Sequence, residues 1–194
     1  MIQQEYTHTI KKEDIALLPV EEFTGRIIVI DTEADARKAV AYLNEFEAVG
    51  FDTETRPSFK KGQRYKISLM QISTDEACFL FRLNRINIPE VLEEFLANTN
   101  VLKIGLSLRD DFGAMRKRTD IKPMNFIDLQ NFVTPYGIEE ASLQKIYAIV
   151  FHKKISKGQR LTNWEADVLT EAQKKYAALD AWACLKLYNH LKEA

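Results

Sequence analysis

Residues 48–54 read Ala48-Val49-Gly50-Phe51-Asp52-Thr53-Glu54, and residues 66–73 read Lys66-Ile67-Ser68-Leu69-Met70-Gln71-Ile72-Ser73. The first run is a strand. The second alternates apolar with polar side chains, which is also the period of a strand. Between them, Arg56 to Arg64 contains the turn formers Pro57 and Gly62. Ala77 to Leu83, rich in Phe and Leu, follows closely enough to predict a hairpin. Downstream, Pro89 opens a helix through Ala97, since proline is favoured in a first helical turn. Val101 to Ile104 predicts a buried strand, Asp110 to Arg118 a helix and Phe126 to Leu129 a short strand. Ser142 to Val150 and Thr170 to Leu191 predict two more helices. Upstream, Arg26 to Ile30 is a β-branched run suited to a strand, and Ala36, Ala39, Val40 and Leu43 then fall at helical spacing. Grouped strands followed by strands alternating with helices specify an α/β sandwich, a mixed sheet flanked by helices on both faces. Residues 1–25, with Pro19 and Gly25 as breakers, read as an N-terminal arm that wraps the body. Residues 26–194 read as one domain.

Composition narrows the classes. The chain has 194 residues, 46% hydrophobic and 28% charged, enough to bury a core and too apolar for disorder. A net charge of -1 excludes a uniformly cationic nucleic-acid coat but leaves room for local basic patches. No apolar run is long enough to span a bilayer, so no membrane partner is expected. The polar start lacks a signal-peptide core, which predicts an intracellular, cytoplasmic location. Cys78 and Cys184, far apart and without CxxC spacing, read as reduced core residues. Neither GxGxxG nor GxxxxGK[ST] occurs, which removes the main support for dinucleotide-binding and P-loop readings.

Asp-Thr-Glu appears twice. After Asp31 the chain turns at once into a helical pattern, so Asp31 or Thr32 reads as an N-cap. Asp52 and Glu54 differ, because they lie two residues apart on a strand and so share one face of the sheet. Two carboxylates so placed repel, and burial raises the cost of ionising them. Either that sheet end opens to water or a divalent cation lies between them. On the last helix, Tyr176, Leu179, Asp180, Ala183 and Leu187 form one largely apolar stripe. Asp180 there calls for a basic partner or for metal ligation, and Tyr176, one turn away, converges on the same volume. Asp110 and Asp111 follow the glycine turn at Gly105, where either could cap a helix or face a crevice at the sheet's end.

Taken together, these pieces resemble the tyrosine-bearing (DEDDy) branch of the DEDD 3′-5′ exonucleases, to which ribonuclease D and the exonuclease domain of the Werner syndrome protein belong. The resemblance spans roughly residues 26 to 192. It rests on Val49 to Thr55 with the strand Ser68 to Ile72, on Lys103 to Met115, and on Leu161 to Trp164 with Leu169 to Ala181. Aligning Gly105 and Met115 with the family's pattern puts its acid on Asp111. The resemblance implies a ribonuclease-H-like fold with a mixed five-stranded sheet. It also implies hydrolysis from the 3′ end of single-stranded or recessed nucleic acid, releasing nucleoside 5′-monophosphates. Two divalent cations, Mg²⁺ or Mn²⁺, about 3.5–4 Å apart would be held by Asp52, Glu54, Asp111 and Asp180. Asp52 would bridge both cations and Tyr176 would orient the attacking water. The rival class is a ribonuclease-H-like module that binds nucleic acid or protein without cutting. No particular protein partner is indicated.

Basic residues flank the acidic motifs. Lys60, Lys61, Arg64 and Lys66 follow the first; His152, Lys153, Lys154, Lys157 and Arg160 precede the third. They read either as solvated surface or, for Lys60, Lys61, Arg64, Lys153, Lys157 and Arg160, as phosphate contacts. Phe59 could stack a terminal base, whereas Trp164 reads more readily as core. His8, His152 and His190 share no constellation.

Overall fold

The computed structural model describes residues 5–193. In chain order the elements are α1 (Lys12–Leu17), β1 (Arg26–Ile30), α2 (Glu33–Leu43), β2 (Ala48–Thr55), β3 (Ile67–Ser73) and β4 (Ala77–Arg82). They continue with α3 (Leu83–Ile86), α4 (Glu90–Ala97), β5 (Leu102–Gly105), α5 (Leu108–Met115), β6 (Phe126–Asp128), α6 (Leu129–Phe132), α7 (Leu143–Phe151) and α8 (Glu171–Glu193). The strands form one sheet in the order β1-β4-β3-β2-β5-β6. Its six strands are the six runs read from the pattern, one more than the five implied by the resemblance. β3 is antiparallel to both neighbours; the β1–β4, β2–β5 and β5–β6 pairs are parallel. The sheet is therefore mixed.

Both faces are covered. Val49, Phe51, Met70, Ile72 and Phe81 pack against the apolar sides of α2, α4 and α5 on one face. Leu69, Leu80 and Ile104 pack against α7 and α8 on the other. Gly50 fixes how closely α8 approaches: a Cβ there would collide with the Ala181 carbonyl oxygen. Without a side chain, the strand lets the helix backbone lie directly on it.

The arm folds onto the α7–α8 side. Tyr6 and Phe23 join that core, and α1 is a short helix the pattern reading does not anticipate. Lys154 N–H donates to the Pro19 carbonyl at 2.9 Å, and Glu21 N–H donates to the Lys154 carbonyl at 2.9 Å. Thr32, not Asp31, caps α2, accepting from Asp35 N–H at 3.1 Å. Trp164 is fully buried, and both cysteines are buried and unpaired. α5 begins two residues before the expected Asp110. Ser107 turns the chain at φ 61°, and the Asp128 carboxylate accepts the backbone N–H of Ser107 (3.1 Å) and Leu108 (2.9 Å). A remote acid thus starts this helix, and Asp110 and Asp111 fall in its first turn instead of capping it. Among the described residues no helix is long and apolar enough to cross a membrane.

Candidate active site

Three elements deliver four carboxylates to one end of the sheet. β2 presents Asp52 and Glu54 from the face that Gly50 opens to α8. α8, held against that face, brings Asp180 over the strand. Asp52, Glu54 and Asp180 each place a carboxylate oxygen within 4.8 Å of the others. α5 contributes Asp111, whose Oδ1 accepts a hydrogen bond from the Thr53 hydroxyl. Asp111 thereby stands beside the three and outside their tight group, while Asp110 is exposed to solvent. Tyr176 is buried and hydrogen-bonded with Asp180, as one helical turn between them permits.

Such crowding is electrostatically costly. Burial drives Asp52 well above the usual carboxylate range, the charges of Glu54, Asp180 and Asp111 push the same way, and the Thr53 N–H at 2.8 Å opposes them. Glu54 is pushed up to about 9 by burial and then by Asp180 and Asp111, with the charge of Arg160 opposing. Asp180 rises to about 7 from burial, against its bond with Tyr176 and the charge of Lys157. Asp111 rises to about 6 from burial, opposed by the Thr53 bond and reinforced by Asp110. Burial, with the Asp180 charge next, also raises Tyr176 far above an ordinary phenol.

Among the described residues, none of the four acids forms an ion pair with lysine or arginine. Bare carboxylates packed this closely are stable only when protonated or when a cation joins them. The donor set is all oxygen, with no sulfur or imidazole, and suits a hard divalent ion. The residues present therefore fit the metals implied by the resemblance.

A cleft of about 280 Å³ is lined by Asp52, Asp180 and Tyr176, with Lys157, Arg160, Leu143 and Ile155 among its other walls. A second cleft, of about 350 Å³, is lined by Arg56, Phe59, Lys60, Tyr65 and Leu161. Arg160 on the wall of the first and Leu161 on the wall of the second are adjacent in sequence. Phe59 is 82% exposed and Leu161 62%. Arg56 lies over the Tyr65 ring at 4.8 Å and pairs with Glu165 at 3.3 Å. Lys61 and Arg64 are exposed on the same loop. Lys153 is placed differently: its ammonium sits 3.0 Å from Glu21, which also accepts from Lys186 (3.1 Å) and the Tyr147 hydroxyl (2.6 Å). It braces the arm and does not line either cleft. Sequence reading missed Glu21, Thr53, Glu165 and Asp128 as organisers of the site, because each acts on a partner many residues away or reads as an ordinary loop or strand polar residue.

The family model described as 3′-5′ exonuclease matches residues 27–194. The mouse bifunctional 3′-5′ exonuclease/ATP-dependent helicase WRN is 30% identical over 184 residues, covering 90% of this chain and 13% of that protein. Ribonuclease D of Haemophilus influenzae is 32% identical over 149 residues, covering 75% and 36%. The crystal structure of Escherichia coli RNase D, an exoribonuclease involved in structured RNA processing, superimposes with a TM-score of 0.78 at 21% identity, covering 87% of this chain and 44% of that one. The chain thus spans less than half the length of each of these three proteins. It belongs to the DEDDy-type 3′-5′ exonuclease family, a family of nuclease hydrolases. Its domain is of the ribonuclease D and WRN exonuclease type, on a ribonuclease-H-like fold.

Proposed function

We propose that this chain removes nucleotides one at a time from the 3′ end of a single-stranded or recessed nucleic acid, releasing nucleoside 5′-monophosphates. The observation that carries the reading is the convergence of Asp52, Glu54 and Asp180 within 4.8 Å, without a salt-bridge partner among the described residues, where Asp52 and Asp180 line a cleft. Asp52, Glu54 and Asp180, with Asp111 beside them, would hold two divalent cations, Mg²⁺ or Mn²⁺. When bound, such cations neutralise the acids and the charge that develops on the attacking and leaving oxygens of a phosphodiester. The protein supplies position. Tyr176, kept protonated by its raised pKa, is a poor base and a good donor, so its hydroxyl orients a water beside Asp180 and removes no proton from it. Lys157 and Arg160 stand on the cleft wall, and their charge would meet the phosphates of a bound strand.

The second cleft gives the strand a path away from the terminus. Phe59 and Tyr65 in its lining offer ring faces for bases, and Lys60 there, with Lys61 and Arg64 exposed on the same loop, offers charge for the phosphates that follow.

The test uses a single strand fluorescent at its 5′ end, incubated with Mn²⁺ and then with EDTA. A ladder shortening by one nucleotide from the 3′ end, absent in EDTA and absent with Asp52→Asn, is the expected result. Binding without shortening would instead support the non-cleaving module.

A further inference from the structure

Gln71 is wholly buried in β3, and neither end of its side-chain amide has a hydrogen-bond partner among the described residues. An unbonded amide in a protein interior is expensive, and an apolar side chain of the same length would avoid the cost. Its surroundings narrow what the amide serves. In the antiparallel β2–β3 pair Gln71 stands directly opposite Asp52, so both side chains project to the face that α8 covers. On its other flank is Leu80 of β4, and two residues away along its own strand are Leu69 and Ser73. The leucines are apolar, and the Ser73 hydroxyl already donates to the Thr74 carbonyl at 2.9 Å. On α8, Tyr176 and Asp180 are engaged with one another. Asp52 is different: Oδ1 accepts the Thr53 N–H, and Oδ2 accepts no hydrogen bond from the described residues. Directly opposed Cβ atoms are about 4.5–5.5 Å apart, within reach of a glutamine's two extra bonds.

We propose that Gln71 is a positioning residue for Asp52: when divalent cations bind the acids, its amide, unbonded here, turns to donate to the Asp52 oxygen that Thr53 leaves free, and so holds that carboxylate toward the cations. The proposal rests on the metal-dependent reading of the acidic cluster. Partners one step behind a ligand fix its rotamer, and losing one weakens metal binding by about 10–100-fold.

The test compares wild type with Gln71→Met and Gln71→Leu, which keep bulk and remove the amide. Calorimetric titration with Mn²⁺ alone gives affinity, and thermal unfolding in EDTA reports on the metal-free fold. Both variants are expected to melt in EDTA at or above the wild-type temperature, while their Mn²⁺ affinity falls at least about tenfold and kcat falls with it. A purely packing role would lower the melting temperature and leave the affinity alone. Wild-type affinity in either folded variant would overturn the proposal, and so would unfolding of both in EDTA, since the metal-free fold would then need the amide. Failure of wild type itself to bind Mn²⁺ would overturn the metal reading, and this proposal with it.

Discussion

Asp180 occupies a helix position whose neighbours on the same stripe are leucine and alanine, and its burial holds the carboxyl up at about 7. A folded-state pKa above the ordinary value of 3.8 means that the native state binds a proton more readily than the unfolded chain. The associated stability is complete below about pH 4 and drains away as pH rises through about 7. Asp180→Asn does not titrate. In EDTA the variant should therefore melt above wild type, with the gap wider at pH 8 than at pH 5, while nuclease activity falls by about 10²-fold or more. A variant that melts below wild type at both pH values would contradict the cost assigned to this group. Tyr176→Phe removes the hydroxyl and keeps the ring that packs near Trp164 at 6.0 Å. Its kcat should drop by about tenfold or more, with KM and the shape of the pH profile unchanged, because the hydroxyl positions water and takes up no proton. Loss of an alkaline limb from the profile would mean that the phenol titrates after all.

Among elements, α5 and α8 show how far the site could be read from one dimension. The acids on β2 and α8 were legible because charge on a strand face or an apolar helix stripe is costly wherever it occurs. The start of α5 was not. It depends on Asp128, 20 residues beyond Leu108, and on a left-handed Ser107, and neither leaves a local pattern. Gln71 was hidden for a related reason. Alternating polar residues in a strand read as a solvent face, yet it is fully buried, and the buried strand read over Val101 to Ile104 did not show what its Lys103 pairs with. α8 covers the face that carries Gln71, and Lys103 spends its ammonium on the Asn98 carbonyl at 2.6 Å beyond the end of α4. The partner of Lys153 in the basic stretch before the third motif left no local pattern either, because Glu21 lies 132 residues upstream. Asp128→Ala tests the element-level account. It strips three backbone donors, those of Ser107 and Leu108 at α5 and of Gln130 at α6, of their acceptor and should cost about 1–2 kcal/mol in urea unfolding. It should also lower kcat, since α5 carries Asp111. Unchanged stability would show that another group starts the helix.

Across the whole molecule, the arm is tied to the body through Glu21, which draws together Tyr147 of α7, Lys186 of α8 and Lys153. Burial alone would raise this carboxyl, but those three hydrogen bonds outweigh it and lower its pKa to about 2. A depressed pKa contributes stability above the ordinary value near 4.5 that is lost as pH falls toward 2. Glu21→Gln should accordingly destabilise the protein at pH 6, and the difference in melting temperature from wild type should shrink by pH 3. A difference that stays constant between those pH values would place the arm's anchorage elsewhere. The same strap runs through Lys154 into the segment bearing Lys157 and Arg160, so arm and cleft wall share one support.

The most direct measurement on the central claim is anomalous diffraction from a crystal of this protein soaked in Mn²⁺. Anomalous peaks are expected beside the carboxylate oxygens of Asp52, Glu54 and Asp180, and are expected to disappear in Asp52→Asn. Metal-dependent shortening of a strand with no anomalous peak at these side chains would contradict it.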